Sequence, residues 1–451
     1  MFRTFHVDTN IAAGHALAPA DSLNPGTTVG DQRGMTMKMS IGRALAAILL
    51  VAAMMSSFAA PVGAAPLDDA NAAAKSGDYV KAVQLLRPLA DQGDRDAQYN
   101  LGIMYFTGQG VARDAAEAAK WFGKAAEQGQ LNSEYNLGVM YERGLGLPQN
   151  DAEALKWYRK SAEQGYAPAQ TNLGGLYDHG RSVPLDHAEA LQWYRKAAEQ
   201  GFAPAQFNLA AMYYNGQGVA RDYAEGVNWC RKAAEQGFAI AQNYLGQMYV
   251  EGPSKDYAEA VKWFRKAADQ GNADGELNLG LRYDNGEGVP QDYTEAMKWY
   301  RLAADHGKLG AVYGIALMYD NGKGVAQNYG EAANWYRKAA EKGFPPAESN
   351  LGLMYESGKG VPQDYAEAAN WYRKAAEQGL PVAQNNLGNL YSGGRGVPLD
   401  RVQAYMWLSV AAARGQPDAE KNQQLVAKAM TSADIAQAQK LAAEWKPKAV
   451  H

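Results

Sequence analysis

The sequence predicts an all-α fold, an α/α solenoid of stacked helix pairs, and three columns of residues carry that prediction. Tryptophan recurs at Trp121, Trp157, Trp193, Trp229, Trp263, Trp299, Trp335, Trp371 and Trp407, every 36 residues except for the 34 between Trp229 and Trp263. Glycine keeps step from Gly93 and Gly129 through to Gly379 and Gly415. The triplet Asn-Leu-Gly runs from Asn100–Gly102 and Asn136–Gly138 to Asn386–Gly388. Self-similarity at a period of this size marks units that each bury one face against the next. Nine full repeats occupy 96–415.

Taken in chain order, residues 1–34 are polar, without pattern and broken by Gly and Pro. Met35, Met37 and Met39 each stand just upstream of an ordinary export signal, so this extension is expected to be untranslated or disordered. Residues 35–64 read as a signal peptide: Lys38 and Arg43 precede the short apolar run Ala44–Met55, and Val62-Gly63-Ala64 supplies small residues at the cleavage positions. The run is too short to span a bilayer comfortably. Cleavage is expected after Ala64, giving a periplasmic or secreted chain with no stable membrane insertion.

Residues 65–95 form an N-terminal capping pair in phase with the repeats, with Leu85 where tryptophan would stand. In the first full repeat, Ala97, Leu101, Met104 and Tyr105 share one helical face, Gly102 permits close approach of another helix, and Gly108 suits a left-handed C-cap. The second helix begins at Asp114 and places Ala118, Trp121, Phe122 and Ala125 at i, i+3, i+4 and i+7. A capping box, Asp or Asn followed three residues on by Glu or Gln, is expected at all nine second helices, from Asp114/Glu117 to Asp400/Gln403. The repeated Trp-Tyr and Trp-Phe pairs are expected as core knobs between repeats. Residues 416–451 read as two atypical capping helices split near Thr431.

The stretch "GLMYESGKGVPQDYAEAANWYRKAAEQG", Gly352 to Gly379, resembles the Sel1-like repeat (SLR) family, a bacterial relative of the tetratricopeptide repeat. The likeness extends over the nine repeats. It implies a right-handed superhelix and the adaptor role usual for the family, holding other proteins together in envelope assembly, secretion or host contact.

Charge and chemistry agree with a binding role. The net charge of −4, without a basic patch, argues against nucleic acid. The single cysteine, Cys230, takes a core position and allows no internal disulfide. No nucleophile motif, metal spacing or phosphate loop is present, so neither catalysis nor a cofactor is expected. The alternatives are an envelope hydrolase acting on peptidoglycan or a β-lactam, and a polysaccharide-binding secretion component. The expected partner is another protein, held as an extended segment. On the resemblance, first helices line the concave side, where Tyr99, Tyr135, Phe207 and Tyr313 would present exposed rings. Asn100, Asn136, Asn172, Asn208, Asn278, Asn350 and Asn386 would border them as a ladder able to bond a peptide backbone.

Overall fold

The computed structural model describes residues 65–448; the 1–34 extension, the signal peptide and its cleavage site lie outside the described residues. All the described secondary structure is helical. Two compact units divide the chain, one ending at Leu245 and one beginning at Gly246. The helices come in pairs: α1 (Ala65–Lys75) and α2 (Tyr79–Asp91), α3 (Arg95–Thr107) and α4 (Ala115–Glu127), α5 (Leu131–Arg143) and α6 (Asp151–Glu163), α7 (Ala167–His179) and α8 (His187–Glu199), α9 (Ala203–Asn215) and α10 (Tyr223–Glu235). They continue as α11 (Ala239–Glu251) and α12 (Tyr257–Ala268), α13 (Ala273–Asn285) and α14 (Tyr293–Asp305), α15 (Leu309–Asn321) and α16 (Tyr329–Ala340), α17 (Pro345–Ser357) and α18 (Tyr365–Glu377), α19 (Pro381–Gly393) and α20 (Arg401–Ala412). The C-terminal caps are α21 (Ala419–Ala427) and α22 (Ser432–Glu444). None of these helices is long and apolar enough to cross a membrane.

Each first helix ends as its sequence dictates. Gly108 is left-handed at φ 75° and returns its N–H to the Met104 carbonyl, closing the last turn. The second glycine of the following loop has a different reason to be glycine: a Cβ on Gly110 would stand 2.2 Å from the Tyr79 carbonyl oxygen at the start of the preceding second helix. Ser182 holds that loop position in its own repeat and is forced to φ 57°. Left-handed backbone costs a non-glycine residue roughly 1 kcal/mol, so Ser182→Gly is expected to stabilise the chain by about that amount in urea denaturation. An unchanged or lower midpoint would show that the serine side chain offsets the strain.

The second helices are capped at all nine predicted positions, where Asp or Asn accepts one or two backbone N–H groups of the first turn. Each such cap contributes about 1 kcal/mol. The reciprocal half of the expected box is replaced. The cap residue's own N–H bonds a tyrosine carbonyl near the end of the first helix, as Asp114 does with Tyr105, over 2.8–3.1 Å in all nine pairs. In five repeats the glutamate thus freed pairs with a lysine one turn on, as Glu117 does with Lys120, or accepts from the indole Nε1 of Trp193, Trp263 or Trp299. The full reciprocal box forms at Thr431 and Asp434, opening α22.

Packing is more extensive within a pair than between one pair and the next. The deepest side chain is the residue after each tryptophan. Phe122, Tyr158, Tyr194, Cys230, Phe264, Tyr300, Tyr336, Tyr372 and Leu408 are essentially inaccessible, whereas Trp193, Trp229, Trp335 and Trp371 are only half-buried. Those four sit at the rim with a lysine ammonium over the ring, Lys232 lying 3.7 Å from the Trp229 centroid and Lys374 3.8 Å from that of Trp371, whereas Trp121, Trp157, Trp263, Trp299 and Trp407 are buried as expected of core knobs. The buried ring faces the Gly of Asn-Leu-Gly: a Cβ on Gly138 would lie 2.7 Å from the Tyr158 ring. Arginine-to-tyrosine bonds tie successive pairs, among them Arg159 to Tyr177 at 2.8 Å and Arg373 to Tyr391 at 3.2 Å.

Candidate interaction surface

The first helices place the predicted rings inside the protein. Tyr99 is 4 % exposed and Phe207 1 %; Tyr135 is buried and Tyr313 half-buried. Tyr135 is wedged between Tyr158 at 5.8 Å and Tyr166 at 5.4 Å, Phe207 between Tyr244 at 5.0 Å and Phe238 at 6.1 Å, and Tyr313 between Tyr336 at 5.7 Å and Phe344 at 5.6 Å. Tyr99 lies 6.0 Å from Phe122. The expectation of four open stacking rings is therefore corrected. The arc that looks free on one helical wheel is covered by the second helix of the same pair and by the aromatic residue that caps the next first helix, such as Tyr166, Phe238 or Phe344.

The asparagine ladder is also largely interior. Asn136, Asn172, Asn208 and Asn278 are buried, while Asn100, Asn350 and Asn386 are half-buried. Asn100 donates to Asn71 at 3.1 Å, and Asn350 to the Tyr313 hydroxyl at 3.1 Å. Asn386 accepts from Asn385 at 3.3 Å. Asn172, Asn350 and Asn386 neighbour the hydroxyls of Tyr158, Tyr336 and Tyr372 in the preceding second helix. The Asn208 amide meets no hydrogen-bond partner among the described residues.

Those tyrosine hydroxyls belong to a polar network that single-repeat reasoning missed. Tyr158 donates to Glu142 at 2.7 Å, Tyr300 to Asp284 at 3.1 Å, Tyr336 to Asp320 at 3.1 Å and Tyr372 to Glu356 at 2.8 Å. Burial, and then the neighbouring carboxylate, hold the Tyr158 and Tyr300 hydroxyls protonated far above the usual phenol range. A cation from the next loop reaches three of these carboxylates closely enough to pair: Arg181 lies 2.9 Å from Glu142, Lys323 3.8 Å from Asp284 and Arg395 3.7 Å from Glu356. Where the buried residue is Phe122, Cys230, Phe264 or Leu408, the acid's position carries Phe106, Tyr214, Val250 or Ser392. Tyrosine and acid thus appear together, and the signal was present in the aligned repeats. Tyr194 is the exception, because its Asp178 is taken by His187 at 2.8 Å.

A surface does remain in the second unit. The position of Ile103, buried in the first unit, recurs as Leu281, Leu317 and Leu353. Leu281 is buried, Leu317 half-buried, and Leu353 is 50 % exposed. On α17, Leu353 is bracketed by half-buried Asn350 one turn before and exposed Ser357 one turn after. Cys230 is inaccessible, and burial pushes its thiol well above the usual range. Among the described residues no group of His, Cys, Asp and Glu could hold a metal ion.

The Sel1 repeat model matches ten consecutive segments from residue 74 to residue 416, the first of them partial. Among solved structures, the chain is similar to a protective antigen present in uropathogenic Escherichia coli strains that displays an SLR fold, at 38 % identity and TM-score 0.69, over 81 % of this chain and 79 % of that one. It is also similar to a Sel1 repeat protein from Oxalobacter formigenes, at 32 % identity and TM-score 0.52, over 84 % and 99 % of the two chains. Comparison with curated proteins gives no match.

Proposed function

The chain belongs to the Sel1 repeat family, whose members generally mediate protein–protein interaction, and from that premise we propose that it is a non-catalytic scaffold of the bacterial envelope. It is exported through residues 35–64 and holds a partner protein on the first-helix face of the second unit. The observation that carries this reading is Leu353. It is a large apolar side chain left half in water at a position that the first unit buries, with the half-buried Asn350 amide one turn before it.

The test is comparative. The mature chain and a Leu353→Glu/Asn350→Ala/Asn386→Ala variant are used as bait in envelope extract. A protein enriched by the parent is expected to fall at least about tenfold with the variant, the loss expected when a central apolar anchor of an interface is removed. Circular dichroism should be unchanged. Equal capture by both baits would remove this face from the interface. Recovery of the chain only in the cytosol, with residues 35–64 intact, would remove the envelope assignment.

A further inference from the structure

One column of Gln or Glu runs through the junctions between repeats, broken only where Val312 takes the position. At Gln98, Gln170, Gln206, Gln242 and Gln384 a buried amide Nε2 donates to the backbone carbonyl eight residues earlier, at 3.0–3.2 Å. In three of these the amide oxygen also accepts from a glutamine thirty residues later, at 2.8 Å. Glu134 and Glu348 occupy the same seat, each 2 % exposed. Each still accepts from the later glutamine, Gln164 at 2.6 Å and Gln378 at 2.7 Å. What changes is the second polar atom. A carboxylate has no proton to give the carbonyl that glutamine satisfies; a carboxylic acid has one.

We propose that the junctions centred on Glu134 and Glu348 are acid-reinforced joints: protonated, these side chains donate to Ala126 and Ala340 as glutamine does, and on ionising they lose that bond and loosen the joint. The surroundings favour the protonated form. Around Glu348, α16 contributes the buried Ala339 and Ala340, and α18 with its C-cap contributes Lys374, the single opposing charge among the described residues, and Gln378. Around Glu134, α4 contributes Ala125 and Ala126, and α6 contributes Gln164 and Lys160. Burial outweighs the lysine in both cases, raising Glu134 above its ordinary value and Glu348 to about 7. The folded chain then holds more protons than the unfolded chain between the ordinary carboxyl range and that value. Stability is full below the window and falls as pH rises through it. Glu276, the third acid in the column, is bonded to His306 at 2.8 Å where the other two accept from a glutamine, so it is left in place.

The experiment compares the full chain with Glu134→Gln/Glu348→Gln between about pH 5 and 8. The parent's denaturation midpoint should fall across that range, and the variant's should fall clearly less and lie higher at the alkaline end. Hydrogen exchange, corrected for its intrinsic pH dependence, should quicken in the parent's α5 and α17 at the alkaline end and stay slow there in the variant. Gln170→Glu supplies the converse, a glutamate in a glutamine seat, and should steepen the fall. Parallel pH profiles for parent and double variant, or no steepening with Gln170→Glu, would overturn the proposal.

Discussion

Phe122→Ala should lower stability by about 3–5 kcal/mol, the usual cost of emptying a fully buried aromatic site. The ring is inaccessible and fills the gap between α3 and α4, where a Cβ at Gly102 would stand 2.7 Å from it. Gly102→Ala, the reciprocal change, should cost about 1–3 kcal/mol by overpacking. The protein contains its own solution to that clash. In the α9–α10 pair the glycine is replaced by Ala210, the ring by Cys230 and the facing alanine by Gly226. The close approach has moved with them, since a Cβ on Gly226 would now meet the Ala210 carbonyl oxygen at 3.1 Å. The triple change Gly102→Ala/Ala118→Gly/Phe122→Cys should therefore cost less than its three parts summed. Urea denaturation of the singles and the triple decides this; strict additivity would mean that the three positions do not trade volume.

Glu287→Ala should be nearly as damaging, by about 3–5 kcal/mol, because it strands a buried charge. The first helices carry a column of buried Met or Leu: Met104, Met140, Leu176, Met212, Met248, Met318, Met354 and Leu390. In α13 that position is Arg282, whose side chain is 4 % exposed. Its guanidinium pairs with Glu287 in the following loop and lies 5.5 Å from the Tyr257 ring centroid. Desolvation works against the charged form and Glu287 opposes that effect, so removal of the carboxylate leaves the desolvation uncompensated. Arg282→Met restores the column and should be neutral or stabilising, since well-packed apolar replacements of buried ion pairs often are. A mild effect of Glu287→Ala together with a severe effect of Arg282→Met would reverse this account and assign the arginine a packing role of its own.

What was legible in the sequence follows the physics of each signal. Helix positions and caps were legible because the period is repeated nine times and each cap depends on a few adjacent residues. The exposure of Tyr99, Tyr135 and Phe207 was not, because a wheel drawn for one repeat omits what stacks on it, and stacking buries them. The interior asparagines failed for the same reason. Other features were legible only by comparing repeats with one another: the joint appearance of tyrosine and acid, the Arg in the Met column, and the three glutamates among glutamines. Each is a departure at one position that makes physical sense only beside its partner position.

The bond from each second-helix cap to the tyrosine carbonyl of its first helix has a consequence for how the chain tolerates change in length. In most pairs it closes a nine-residue span, Tyr105 to Asp114, but in the short repeat Asp256 reaches Tyr249 across seven, at 2.9 Å. A two-residue deletion has therefore been absorbed entirely within the loop, and the second helix still starts from the same anchor. These loops are consequently natural splice points. A foreign peptide grafted between the closing glycine and the cap residue should be displayed without disturbing the stack, and length variation among relatives should gather there rather than at the glycine that ends each second helix.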